Sequence, residues 1–275
     1  MASAALTPEV IRRFHEDGAV CLRGVFTQEW IQKVTEGIEA NMAQPSKVGE
    51  RLKAPGDEGV YFQDLFNWQK IPQFKDFVTG SPAAEIAGTL MQSKKATFYY
   101  EHVLCKEPGA HKETPWHQDQ PYYPVDGFKN CSIWLPIDPV PMETTLQFVK
   151  GSHRWGRWFI PKKFATANNY DIVRAETCGD RAYENAPDVN NAVEKYEILK
   201  WAVEPGDCVV FHMLTLHGAP GNSSETLPRR VLSTRWLGDD CVYVQRPWDS
   251  PVPVLGELTS GQHMADTFPT MWRAG

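Results

Sequence analysis

Pro115-Trp116-His117-Gln118-Asp119-Gln120 is the stretch from which the rest of the chain is read. His117 and Asp119 are two residues apart. On an extended segment, side chains at i and i+2 point the same way, so an imidazole and a carboxylate can address one ion from one strand end. A third residue of suitable chemistry, His217, stands far along the chain in Leu214-Thr215-Leu216-His217-Gly218. Two neutral imidazoles and one carboxylate occupy one face of a metal and leave the opposite face open, an arrangement that suits iron(II) and oxygen chemistry. Chance is the competing explanation, since the chain has 8 histidines and a His-x-Asp spacing alone is common. His15, His102, His111, His153, His212 and His263 read as surface or satisfied core groups. His212, five residues before His217, falls on the opposite face of a straight strand.

Outward from this stretch the chain reads as β-structure. Short apolar runs alternate with turn signals at 97–105, 131–137, 145–149, 208–212 and 230–237, the rhythm of a β-sandwich or barrel. Pro205-Gly206-Asp207 marks a turn before one of them. Upstream, Thr7, Pro8 and Glu9 open a helix whose stripe is Val10, Ile11 and Phe14, and Gly18 closes it. Residues 19–22 read as a strand. Thr27 starts a second helix with Trp30, Ile31, Val34 and Ile38 at helical spacing. Residues 44–58 read as loop and 83–91 as helix. The expected organisation is one domain over 1–275, with a helical part over 7–92 and a barrel core over 96–240. The polar stretch 159–191 interrupts that core, and long insertions of this kind often cover an active site. The Pro-rich tail, 248–275, carries Phe268, Met271 and Trp272, and either packs back on the barrel or meets a partner.

Composition narrows the function classes. With 42% apolar and 23% charged residues, the chain supports a packed core. A net charge of −6 argues against a nucleic-acid partner, because phosphate binding needs a basic surface. None of the 6 cysteines forms a Cys-x-x-Cys pair, so they read as free thiols in a reducing cytoplasm. Neither a secretory signal nor a membrane-spanning run is expected.

A second chemical signal follows His217. Arg229-Arg230 opens the apolar run 231–237. A guanidinium grips a carboxylate through two parallel hydrogen bonds. An arginine here suits the distal carboxylate of 2-oxoglutarate, with a solvated strand-edge charge as the plainer alternative. Tyr122, Tyr123 and Trp116 flank the metal motif and are candidate pocket walls or ordinary core. His153, Arg154, Arg157, Lys162 and Lys163 form a basic cluster within an acidic protein. Arg154 and Arg157 are therefore candidates to attract an anionic or zwitterionic substrate, with a solvated charged face as the plainer alternative.

Taken in order, several pieces resemble the phytanoyl-CoA dioxygenase family of iron(II)/2-oxoglutarate oxygenases. They are Trp116-His117-Gln118-Asp119-Gln120, Trp134-Leu135-Pro136-Ile137-Asp138, Gly151-Ser152-His153, Pro205-Gly206-Asp207, and His217-Gly218 with Asn222 and Arg229. The opening 14–25 is also similar, so the resemblance runs from about residue 7 to residue 240. It implies a mainly β fold with flanking helices and a double-stranded β-helix (jelly-roll, cupin-like) core. It implies His117, Asp119 and His217 as iron ligands and Arg229 as the partner of 2-oxoglutarate, with Gln118 and Trp134 as further contacts. Arg230 is the weaker alternative to Arg229, because strand alternation lets only one of them face a pocket. Lys106 is a candidate for an additional lysine contact. The implied activity is hydroxylation of a small molecule, with oxygen consumed, succinate and carbon dioxide released, and ascorbate as a possible reductant. Desaturation, cyclisation or epoxidation on the same cofactors is an alternative. So is a metal- or ligand-binding barrel without turnover, although such a barrel needs no carboxylate clamp. A nucleic-acid demethylase is disfavoured by charge. Asp119 favours hydroxylation over halogenation, which in related enzymes needs a small residue at that position.

Overall fold

The computed structural model describes residues 2–249 and 257–275. A short helix α1 (Ala2–Ala5) precedes α2 (Pro8–Asp17), whose first turn is capped by the Thr7 hydroxyl accepting from the Val10 amide at 3.3 Å. Gly18 ends α2 at φ 87°, and a side chain there would run into His153 Nδ1 2.5 Å away. Strand β1 (Ala19–Leu22) and helix α3 (Gln28–Ala43) follow as expected. The 44–58 segment is more ordered than its Pro, Gly and charge content implies. It contains β2 (Glu50–Leu52), an edge strand paired antiparallel with β3 (Tyr61–Leu65). Helix α4 (Pro72–Gly80) was not legible as a separate element; it opens with Pro72 and buries Phe74, Phe77 and Val78. Helix α5 (Ala83–Leu90) lies where periodicity places it.

The β-region contains β4 (Lys95–Lys106), β5 (Thr114–His117), β6 (Val125–Asp126), β7 (Asn130–Pro136) and β8 (Gln147–Val149). Then come β9 (Trp158–Phe159), β10 (Tyr183–Glu184), β11 (Ile198–Leu199), β12 (Cys208–Phe211) and β13 (His217–Ala219). The last three are β14 (Arg229–Leu237), β15 (Val242–Tyr243) and β16 (Thr270–Arg273). The large sheet runs β1-β12-β7-β14-β4-β3-β2, with β16 against β4. The smaller sheet runs β11-β8-β13-β5. Both are antiparallel throughout. This is the expected jelly-roll core.

Two apolar layers hold it together. Phe14, Ile31, Val34, Phe74, Phe77 and Leu90 from the helices pack with Phe98 and Trp236 of the large sheet. On its other face, Trp134, Val209, Phe211 and Val231 meet Phe148 of the smaller sheet. Each such side chain withdrawn from water contributes about 1.5–3 kcal/mol before entropy is counted. The tail packs back on the barrel: β16 pairs with β4, and Phe268 meets Tyr99 edge-on at 4.9 Å. Residues 250–256 of that tail lie outside the described residues. All six cysteines are unpaired, and Cys21 and Cys178 are only partly buried.

Candidate active site

His117 ends β5 and His217 begins β13, and the two are paired directly across the ladder of the smaller sheet. That register brings together residues remote along the chain. Asp119 follows β5 at the turn into a short 3-10 segment. One ligand atom from each of the three lies within 4.8 Å of the others. Asp119 Oδ1 is 3.4 Å from His117 Nε2 and 3.7 Å from His217 Nε2. Each imidazole is oriented by its own strand: His117 Nδ1–H donates to the Pro115 carbonyl at 2.7 Å, and His217 Nδ1–H to the Thr215 carbonyl at 2.9 Å. Those bonds set the tautomer that leaves Nε2 of both rings unprotonated on the side of Asp119 Oδ1, as in metal-ligating histidines. Burial, with His117 alongside, pushes the His217 imidazole down to about 3, so it stays neutral and able to ligate. Burial alone would push the Asp119 carboxyl up. The adjacent Arg235 guanidinium, with the two imidazoles, instead holds it well below the usual carboxylate range. The donor set fits an iron(II) ion.

A cavity of about 540 Å³ opens from these residues between the two sheets. Strand β14 lines it with Arg229, Val231, Ser233 and Arg235, while Arg230 on the opposite face pairs with Asp138 at 2.8 Å and Glu39 at 3.3 Å. Alternation therefore settles which of the two arginines faces inward. Arg229 is buried. It donates to the Thr144 carbonyl and, at 3.4 Å, to the Pro220 carbonyl. Lys106 Nζ donates to the same Pro220 carbonyl at 3.1 Å and stands over the Tyr61 ring. Among the described residues, neither cation has a carboxylate within ion-pair distance. Burial brings the Arg229 guanidinium down to about 10, and burial plus Arg229 brings Lys106 well below its ordinary value. Two desolvated cations with only carbonyl partners fit an incoming carboxylate. Trp134 also lines the cavity.

Three expected contacts lie elsewhere. Gln118 points away from the cavity, as the residue between two inward-facing neighbours must. Its amide donates to the Arg157 and Leu214 carbonyls, both at 3.0 Å, and accepts from the Phe159 amide at 3.0 Å. Arg154 is exposed and outside the cavity. Arg157 forms a two-point ion pair with Glu184 at 2.7 and 2.8 Å on the surface. The basic cluster is contiguous in sequence but dispersed in space, and of its members only Lys162 and Lys163 reach the cavity.

Tyr122 and Tyr123 do line the cavity. The Tyr122 hydroxyl donates to the Lys162 carbonyl at 2.6 Å and accepts from its amide at 2.9 Å, tying the 159–191 insertion to the ligand loop. Phe164 of that insertion meets the His117 ring edge-on at 5.1 Å and lines the cavity. Residues not anticipated are His102, Gln63 and Tyr100 on the cavity wall, with Ser132 and Arg235 on Asp119. Arg235 was foreshadowed by the alternation that selects Arg229: it lies three pleats further along the same face.

A jelly-roll of this kind, with a His-Asp-His cluster facing its cavity, is the fold of an iron(II)- and 2-oxoglutarate-dependent oxygenase. The chain belongs to the phytanoyl-CoA dioxygenase family, whose model matches residues 14–231. It is 23% identical over 252 residues to a probable phytanoyl-CoA dioxygenase of Caenorhabditis elegans, covering 85% of this chain and 76% of that protein. It is 25% identical over 233 residues to the 1-deoxypentalenic acid 11-beta-hydroxylase of Streptomyces arenae, covering 78% and 75%. Its fold matches the epimerase SnoN in complex with Fe3+, alpha-ketoglutarate and nogalamycin RO, with a TM-score of 0.73, 20% identity, and 98% and 100% of the two chains covered. Among the described residues, no helix is long and apolar enough to cross a membrane.

Proposed function

We infer that the protein hydroxylates a small, ring-bearing organic molecule at a carbon–hydrogen bond. One observation carries the reading: the three candidate ligands and a pair of buried cations that have no acidic partner among the described residues face the same cavity. His117, Asp119 and His217 hold the iron. Arg229 and Lys106 hold the distal carboxylate of 2-oxoglutarate, and Trp134 walls that end. When bound, iron would activate molecular oxygen as the oxidant, with 2-oxoglutarate supplying two electrons: one oxygen atom would end in succinate as carbon dioxide is lost, the other in the hydroxylated product. The chain contributes placement and dryness. Tyr100, Tyr123 and Phe164 form an aromatic substrate wall that excludes water and favours ring systems.

Hydroxylation is preferred because Asp119 leaves no room in the ligand set for a halide and because one relative is named a hydroxylase. That an epimerase shares the fold keeps other oxidative outcomes, cyclisation included, as the second reading. Six unpaired cysteines support a reducing compartment such as the cytoplasm. The test has two parts. Anaerobic addition of iron(II) and 2-oxoglutarate should produce a visible charge-transfer band. A library of cyclic metabolites should then contain compounds that stimulate succinate release and gain one oxygen atom by mass. A protein that yields neither the band nor stimulated succinate is not an oxygenase of this kind.

A further inference from the structure

The two oxygens of Asp119 have different partners. Oδ1 faces His117 Nε2 and His217 Nε2 at 3.4 and 3.7 Å. Oδ2 is turned away, accepts from the Ser132 hydroxyl at 2.7 Å, and lies 3.2 Å from Arg235 Nε. Ser132 on β7 and Arg235 on β14 are register partners across the large sheet, so both groups on Oδ2 rise from adjacent points of one rigid ladder. Arg235 is itself fixed. Its Nε–H also reaches the Tyr123 hydroxyl at 3.1 Å, Nη1 donates to the Ser233 hydroxyl at 2.5 Å, and the guanidinium lies 5.6 Å from the Tyr100 ring centre. It is 4% exposed, and among the described residues Asp119 is its sole carboxylate partner. A buried cation is placed here against the carboxylate of the candidate metal site, on the wall of the cavity.

We propose that Arg235 is a positioning residue which, together with Ser132, makes Asp119 a one-oxygen ligand. A carboxylate can engage an ion through one oxygen or through both. A two-oxygen grip would take up a position that cosubstrate or oxygen must occupy. One hydrogen bond from Ser132 and one ion pair with Arg235, both on Oδ2, oppose the rotation that would bring that oxygen to the ion. The same cation repels a divalent metal, so its effect on affinity is a balance of orientation and repulsion. Loss of an outer partner of a metal ligand typically weakens metal binding by about 10- to 100-fold, so orientation wins. The proposal rests on the reading of His117, Asp119 and His217 as ligands, and adds what keeps one of them in its productive mode.

The experiment uses cobalt(II) as the probe on full-length metal-free protein, followed by calorimetry, visible absorption and X-ray absorption. Circular dichroism accompanies each variant. Arg235→Gln should weaken cobalt binding by about 10- to 100-fold and shift the carboxylate towards two-oxygen coordination. Arg235→Lys should recover part of the affinity. Ser132→Ala should lose less, and its effect should not add to that of Arg235→Gln. Unchanged or tighter binding by Arg235→Gln, with the wild-type spectrum, overturns the proposal. If Arg235→Gln does not fold, Ser132→Ala and Arg235→Lys decide, and wild-type affinity and spectrum in both overturn it. Wild-type protein that takes up no cobalt overturns the metal reading itself, an outcome separable from failure of the arginine's role.

Discussion

At the scale of single residues, the convergence of His117, Asp119 and His217 was legible in part because the first two are only two residues apart. That spacing argues against Gln118, which sits between them and points elsewhere; the resemblance named it, and the geometry of the segment does not support it. Arg154 and Arg157 misled for another reason. Charge adjacency in sequence carries no information about spatial convergence, and Arg157 is satisfied by Glu184 instead. Arg235 escaped notice because a buried arginine inside an apolar strand looks, in sequence, like any strand-edge charge. Asp119→Ala should abolish iron-dependent succinate release, measured under saturating 2-oxoglutarate. Because that change strips Arg235 of its partner, it should also cost about 3–5 kcal/mol of stability, visible as a lower urea midpoint. Asp119→Asn keeps the shape and an accepting oxygen but not the charge, so turnover should fall as far while only part of the stability is lost. Turnover surviving in both variants would remove Asp119 from the ligand set.

At the scale of elements, β14 does most to build the site. Alternation along it faces Arg229 and Arg235 inward and sends Arg230 to Asp138 on the other side. Replacing Arg229 with Gln should raise the KM for 2-oxoglutarate by roughly 10- to 100-fold, the loss of about 1.5–3 kcal/mol in charge-assisted hydrogen bonding. Replacing Arg230 with Gln should leave that KM within about twofold and cost at most ~1 kcal/mol of stability, as for a part-exposed ion pair. Equal KM effects would mean that the strand register is misread. The helical elements were legible where a cap and an apolar stripe coincide, as in α2. Helix α4 and strands β2 and β3 were not, because their order comes from tertiary partners: α4 packs against α3, and β2 exists only as the neighbour of β3. The tail strand depends on one close approach. A Cβ on Gly88 of α5 would sit 2.2 Å from the Trp272 ring. Gly88→Ala should therefore destabilise the protein by about 1–3 kcal/mol through displacement of β16, read as a shifted denaturation midpoint. An unchanged midpoint would show that Trp272 is loosely held.

At the scale of the whole molecule, pH dependence follows from imidazoles held neutral inside. Burial pushes His153 down to about 4, and burial with His153 beside it pushes His212 down to about 3. An unfolded histidine titrates near 6.5. Below that pH the unfolded chain binds protons which the folded chain refuses, so stability falls as the solution is acidified from about 6.5 towards 4. Each histidine contributes a slope of about 1.4 kcal/mol per pH unit in that window. Urea midpoints measured from pH 7.5 to 4.5 should decline below 6.5, and His153→Gln should flatten part of that decline. A profile equally steep in the variant would assign the acid sensitivity to other groups.

On the proposed reading, part of the wall that meets the substrate lies on a different segment from the residues that hold iron and 2-oxoglutarate. The two histidines, Arg229 and Lys106 stand on ladders of the two sheets, whereas Lys162, Lys163, Phe164 and Tyr170 come from a segment tied to the 117–122 stretch by the Tyr122 hydroxyl, the Phe159–Gln118 bond and ring contacts. A graft that replaced residues 159–191 with the equivalent stretch of a relative would change which molecules are accepted, yet leave the iron chemistry as it stands. Divergence of substrate range in such a scaffold needs no renegotiation of its catalytic floor.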